Sequence, residues 1–272
     1  MGMTTYALRL SGDELARYRM MAARARVEEG DLWARAGLVP GAQVADVGCG
    51  PGALLVTLAE VVGPTGHVVG VDADPDAVAA ARAALAAARS LDPSVAAGDV
   101  RQGRADATDL RAGSVDTVVL RHVLAHNGGA EQRIVNHLAT LVRPGGHVYL
   151  LDVDLTTAIG TAALGDAAEL HDRYVRWHEL QGNDPRVGRR LPELARTAGL
   201  AVVESRRWTV GGPMPPGMRG PAWAARDELV GAGLATVADV DRWDAAFTAL
   251  DRAGHRREYS LDLFAVVCRR TD

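Results

Sequence analysis

Asp46-Val47-Gly48-Cys49-Gly50-Pro51-Gly52 places an acid and three glycines within seven residues. Apolar Gln43-Val44-Ala45 precedes the run and Ala53-Leu54-Leu55-Val56-Thr57-Leu58-Ala59 follows it. That order reads strand, glycine turn, helix. Glycines tolerate backbone angles that a Cβ blocks, and they let a flat ligand lie against bare main chain. The turn therefore suits a nucleotide-like cofactor. Gly48, Gly50 and Ala53 fit the dinucleotide fingerprint, in which a pyrophosphate takes the N–H groups of a helix start. Asp46, two positions before the first glycine, would repel a pyrophosphate and suit a cation; alternatively it only hydrogen-bonds the turn. His67-Val68-Val69-Gly70-Val71-Asp72 reads as the next strand, and an acid at its tip pairs with ribose hydroxyls in either cofactor class.

Two further runs narrow the choice. Val100 to Ala105 leads into Asp106-Ala107, and Val115-Asp116-Thr117-Val118-Val119-Leu120 reads as a fourth strand. Leu141-Val142-Arg143-Pro144-Gly145-Gly146 then precedes the apolar His147-Val148-Tyr149-Leu150-Leu151. From about Pro40 to Asp152, these motifs in this order resemble the class I S-adenosylmethionine (SAM)-dependent methyltransferases. Within them the chain is most similar to the ubiquinone/menaquinone-biosynthesis-like enzymes and their natural-product tailoring relatives. The resemblance implies a SAM site, with S-adenosylhomocysteine as product. It implies that Asp46, Gly48, Cys49, Gly50 and Gly52 form the cofactor turn, with Cys49 a small packing residue. Asp72 and Ala73 would lie at the ribose. Asp106 would accept from the adenine amino group, the Ala107 main chain would reach the ring, and Leu120 would contribute main-chain contacts. Tyr18, on an N-terminal helix, would close over the methionyl carboxylate.

Ligands in open α/β sheets bind at the carboxyl ends of strands, so an acceptor belongs near Leu120-Arg121-His122. Arg121 is a candidate acceptor contact. His122 is a candidate base, since imidazole titrates near neutrality, or else a histidine packed on the sheet. His126 matches a position that is often His in the family and reads as structural. Methyl transfer needs a base only when the acceptor must lose a proton.

Composition bounds the rest. The chain has 272 residues, a net charge of −4 and 30 basic side chains, every one an arginine. The charge gives no footprint for nucleic acid. Without lysine there is no Schiff base for pyridoxal phosphate chemistry. Two cysteines form neither a disulfide framework nor a zinc site, and no metal site is expected. The absence of an apolar signal core or membrane-length stretch leads to the expectation of a cytoplasmic protein, monomeric or homodimeric, with a small-molecule partner and neither nucleic acid nor membrane.

The elements that must position these residues alternate strand and helix, which implies a parallel sheet with helices on both faces. The expected fold is α/β: a Rossmann-like, seven-stranded, mostly parallel sheet with an antiparallel last strand and a helical cap. One domain is expected over 1–272: an N-terminal helical cap (1–39, with Ser11 a helix cap), the SAM core (40–152), and acceptor-binding insertions with closing strands (153–272). Strands are expected at 44–47, 67–71, about 100–105, 115–121, 147–152 and 201–209, with the closing strand over 259–268 between the fifth and sixth. Helices are expected at 52–61, 75–90, 130–141, 162–181, 188–198, 222–232 and 238–252. Tyr174, Trp177, His178, Trp208, Trp223, Trp243 and Phe247 are candidates for an aromatic acceptor wall or for ordinary core, and Pro213 to Met218 for a lid or a stiff connector. Rival functions are an NAD(P)-dependent oxidoreductase, and a SAM-binding fold that transfers no methyl group.

Overall fold

The computed structural model describes residues 12–159, 165–213, 215–254 and 258–271, with side chains of Asp13, Ile159, Pro213, Glu258 and Tyr259 excepted. Ser11, Ala162 to Leu164 and Met214 lie outside the described residues.

The first helix, α1 (Gly12–Arg35), leads into β1 (Gln43–Val47), α2 (Ala53–Val62), β2 (His67–Asp72), α3 (Pro75–Leu91), β3 (Ala97–Gln102) and β4 (Val115–Arg121). A 3-10 turn (Leu124–His126), α4 (Glu131–Leu141) and β5 (Val142–Ile159) follow. The second half holds α5 (Ala168–Leu180), a 3-10 turn (Val187–Arg190), α6 (Leu191–Thr197), β6 (Leu200–Pro213), α7 (Pro221–Ala224), α8 (Arg226–Gly231), α9 (Val237–Arg252) and β7 (Glu258–Arg270). The seven strands form one sheet in the order β3-β2-β1-β4-β5-β7-β6. The first five run parallel, and β7 is antiparallel to both β5 and β6. This is the Rossmann-like methyltransferase arrangement, with the closing strand between the fifth and sixth as expected.

Local signals start the helices. Asp74 caps α3, its side chain accepting from the Asp76 N–H, and Pro75 occupies the first turn, where its missing N–H costs nothing. Thr236 and Asp239 form a reciprocal capping box at α9, which satisfies two otherwise orphaned donors. The central strands β1 and β4 are buried along almost their whole length, as strands covered on both faces must be.

Three expectations need correction. The third strand lies at Ala97–Gln102, about three residues earlier than the expected 100–105, so Asp106 sits in a turn beyond the strand rather than at its tip. The fifth strand is far longer than 147–152, because β7 continues to pair with it past Asp152. The region 222–232 is two short helices, broken at Ala225.

The core divides in two. The larger cluster fills both faces of the sheet. A smaller one, built from Ala167, Leu170, Leu229, Ala235, Trp243 and Phe247, joins α5, α8 and α9 into a cap. Trp243 and Phe247 therefore belong to the interior of the cap, not to an acceptor wall. Trp243 is fully buried and donates from its indole N–H to Glu169 Oε1 at 2.9 Å. Trp243→Ala should cost about 3–5 kcal/mol, the range for deleting a large core side chain, read as a lowered urea midpoint.

Candidate cofactor site

The glycine turn joins β1 to α2 at the carboxyl edge of the sheet. Its main chain is pinned to β2: the N–H groups of Gly48 and Cys49 both donate to the Val71 carbonyl, at 2.7 and 3.1 Å. Asp72 completes the link. Its Oδ2 accepts from the Gly50 N–H at 2.8 Å and its Oδ1 from the Asp74 N–H at 3.0 Å. Burial raises the Asp72 pKa, against those backbone donors, which lower it. Asp72 thus shapes the turn with one face of its carboxylate, and its remaining lone pairs are what a ribose would use. The next residue, Ala73, engages through its carbonyl, which accepts from Gln102 Nε2 at 3.1 Å.

Close approach, as well as angle, demands glycine here. A Cβ on Gly48 (φ +74°) would lie 2.3 Å from Val123 Cγ2, and one on Gly52 (φ +84°) would lie 2.7 Å from Ala81 Cα. The first contact couples the turn to the loop that follows β4. Gly50 lies under Tyr18 of α1, whose ring would be 3.7 Å from a Cβ there. Cys49 is buried, and burial pushes its thiol far above the ordinary range; it packs and does not react.

Asp46 is the distinctive group. Its side chain is buried, and its Oδ2 makes no hydrogen bond among the described residues. Burial, then the neighbouring Asp72, raises its pKa to about 7, while Arg121 pulls the other way. A buried acceptor without a partner is costly, and a cation placed against it would remove that cost. The α-ammonium of SAM is such a cation; a pyrophosphate would worsen the repulsion. The donor set of the turn therefore fits SAM.

The adenine end differs from expectation. Asp106 is gripped by two guanidinium groups: Arg104 Nε at 2.9 Å and Arg133 Nε at 2.7 Å. Arg104, and then Arg133, hold its carboxyl down at about 2. The Ala107 N–H donates to the Arg104 carbonyl at 3.0 Å. Both groups assigned to adenine are thus engaged within the protein. Both arginines are more than half exposed, while the Asp106 carboxylate they hold is largely buried.

At the tip of β4, Leu120 is buried. Arg121 does not face an open acceptor space: its guanidinium is committed to Glu29 of α1, Nη2 to Oε1 at 2.8 Å. The register explains this, since Arg121 falls on the sheet face that α1 covers. His122 takes φ +58°, a conformation in which non-glycine residues are uncommon and which marks functional turns more often than regular ones. Burial, with Arg121, His126 and Arg17 adding to it, lowers the His122 pKa well below its usual value. His126 lies in the 3-10 turn, its ring 5.0 Å from that of His178 on α5. Burial brings these two down to about 3 and about 4. Asp152, within β5 and one residue past the partner of Arg121, fastens this loop by accepting from the Leu124 and Ala125 N–H groups at 2.8 and 3.2 Å.

Of the residues expected at the site, Asp46, Gly48, Cys49, Gly50, Gly52, Asp72 and Tyr18 come together at the turn. Asp106 and Ala107 lie in a self-paired turn beyond β3. Sequence reading missed Glu29, Val123, Arg133 and Asp152 as site-shaping groups. Only Asp152 carried a local signal, as an acid ending an apolar strand.

A family described as a methyltransferase domain matches residues 38–190, more than half of the chain. The chain belongs to that methyltransferase family, and its cofactor is SAM. Among characterised relatives, the demethylmenaquinone methyltransferase of Lactococcus lactis is 26% identical over 69% of this chain and 79% of its own length. The ubiquinone biosynthesis O-methyltransferase of Cupriavidus pinatubonensis is 32% identical over 62% of this chain and 64% of its own. Other matches are partial: the chain spans 44% of a Streptomyces fradiae transposon protein and 30% of an arsenite methyltransferase from Halobacterium salinarum. The fold also matches a Bacillus halodurans protein described as a methyltransferase, at TM-score 0.58 and 15% identity, over 90% of this chain and all of that one.

The Asp46 carboxylate predicts a pH dependence. An ammonium partner prefers the ionised form, so below about pH 7 binding must first remove a proton. Affinity for S-adenosylhomocysteine should fall by up to roughly tenfold per pH unit below that point and be flat above it. Asp46→Asn should bind more weakly and lose the dependence. Calorimetric titration across that window measures both.

Proposed function

We propose that this protein transfers a methyl group from SAM to a small-molecule acceptor, a secondary metabolite or quinone-like compound, at an O, N or C atom. The observation that carries this reading is the unpartnered buried Asp46 carboxylate beside a backbone cradle that only glycines fit. When bound, SAM supplies an activated methyl on a sulfonium leaving group. The chain then has three tasks: to hold the cofactor's amino-acid and ribose ends, to align the acceptor, and to exclude water. Alignment alone is worth roughly 7–11 kcal/mol.

The acceptor side is read from what surrounds the β4 tip. Tyr174, Trp177 and His178 from α5 cluster with His126: Tyr174 and Trp177 meet the His178 ring edge-on, at 4.6 and 5.1 Å. Tyr174 and His178 are buried, so the half-buried Trp177 is the ring that a flat organic acceptor would meet. The quinone-pathway names of two relatives support the same class. A metalloid acceptor fits poorly, because soft metalloids take thiolates. Both cysteines here are buried, with their thiols pushed up by burial. The net charge of −4 gives no attraction to nucleic acid. Among the described residues no helix is long and apolar enough to cross a membrane, and a cytoplasmic setting, as monomer or homodimer, is part of the proposal.

His122 is the proposed base where the acceptor is a hydroxyl or enol that must lose its proton. It is neutral at neutral pH and so able to accept a proton, though weakly, which favours acceptors that are themselves acidic. With a phenolic acceptor, His122→Ala should slow turnover by about 10²-fold, the low end of general-base effects. An unchanged rate would assign His122 to packing. Production of S-adenosylhomocysteine in an acceptor screen separates a transferase from a protein that only binds SAM. Asp72→Ala should weaken S-adenosylhomocysteine binding in either case, as calorimetry would read.

A further inference from the structure

A buried ion pair joins α1 to the sheet face that carries the cofactor carboxylates. Asp46 lies beside Val119 on β4 and Gly70 on β2, and Val119 lies beside Tyr149 on β5. Side chains two apart on a strand share a face. Asp46, Asp72, Arg121 and Tyr149 therefore line one face of the sheet. Glu29 descends onto it from α1 and is fully buried. Arg121 Nη2 and Nε donate to Glu29 Oε1 at 2.8 and 3.1 Å, and the Tyr149 hydroxyl donates to Oε2 at 3.0 Å.

Such a cluster is a poor device for stability alone. Desolvating both charges costs about what their attraction returns, and apolar residues of similar volume often do as well. The position of Arg121 supplies another role. Its charge acts on both fully buried carboxylates at this edge, Asp46 and Asp152. The groups facing Asp46 are Asp72 from β2, the neutral Cys49 thiol from the turn, and Arg121 from β4. Arg121 is thus the cation set against Asp72, and Glu29 and Tyr149 fix where it stands. The same helix that brings Glu29 brings Tyr18 onto Gly50, about three turns earlier.

We propose that Arg121 is a positioning residue for the cofactor: anchored by Glu29 and Tyr149, it presents the Asp46 carboxylate to the ammonium of SAM and seats α1 on the glycine turn. One buried point then sets both the electrostatics of the amino-acid end and the helix above it. The charge of Arg121 and the tether of Glu29 make separable contributions. Removing Arg121 leaves Asp46 facing Asp72 alone, so its proton is held to higher pH. Removing the Glu29 charge frees Arg121 from a competing anion, so the Asp46 proton is held no more tightly than before, while α1 loses its anchor.

The test is titration of wild type, Arg121→Gln, Arg121→Lys and Glu29→Gln with S-adenosylhomocysteine, from about pH 5.5 to about pH 8.5, with thermal melts of each. For Arg121→Gln the midpoint of affinity against pH should move up by roughly one unit, a roughly fivefold loss at neutral pH that approaches tenfold at lower pH. Arg121→Lys should restore the midpoint. Glu29→Gln should keep the midpoint at or below that of wild type and release S-adenosylhomocysteine faster in stopped flow. Equal midpoints in wild type and Arg121→Gln would overturn the proposal, as would loss of affinity that only tracks loss of melting temperature. If Arg121→Gln does not fold, an upward midpoint in Arg121→Lys or Glu29→Gln overturns it alone. Failure of wild type to bind S-adenosylhomocysteine would instead overturn the cofactor assignment, and the proposal with it.

Discussion

A carboxylate buried without a partner is the constraint on which the site turns. Asp46 sits within the sheet, beside a second acid, with one oxygen that no described group satisfies. Left alone, such a group resists ionisation, and its pKa rises to about 7. A cation placed against it favours the ionised form. The surroundings follow from that need. The turn beside it is glycine because Val123 and Ala81 press against it. Asp72 accepts from the Gly50 and Asp74 N–H groups, and Arg121 is placed on the same face. In the proposed site, a cofactor with an ammonium at one end and a ribose in the middle would meet these groups in order.

The cofactor end was largely legible in the sequence because its signals are local. A strand, an acid, three glycines and a helix within about twenty residues report their own geometry, as did Asp72 and the Arg143-Pro144-Gly145-Gly146 turn before β5. The parallel order followed from the alternation of strand and helix, and the inserted antiparallel β7 from the resemblance. What escaped depends on contacts remote in sequence. Glu29 meets Arg121 across 92 positions and Tyr149 across 120, and neither shows until the strands are in register. Arg121 therefore read as an acceptor contact, although the pleat turns it towards α1. Asp106 read as an adenine ligand because its neighbourhood fits the family. Its two arginine partners, one of them on α4, are supplied by the fold.

The proposed acceptor end is assembled differently. Its groups come from the loop after β4, where Val123 meets Gly48 and Asp152 accepts from the Leu124 and Ala125 N–H groups, and from α5, which also roots the separate cap core. Among the aromatic residues after β5, Tyr174 belongs to the sheet core and Trp243 and Phe247 to the cap, while Trp177 packs against both. The cofactor turn meets the loop after β4 where Gly48 lies against Val123.

The central claim is that the carboxyl edge of this sheet is built for a cationic amino-acid cofactor and against a pyrophosphate. The most direct measurement is competition: calorimetric titration with S-adenosylhomocysteine and, separately, with NADH and NADPH at mildly alkaline pH, where Asp46 is ionised. Binding of S-adenosylhomocysteine with no heat from either dinucleotide is the predicted result. Saturable binding of a dinucleotide, displaced by the other ligand or binding in its place, would contradict the reading of Asp46 and the account built on it.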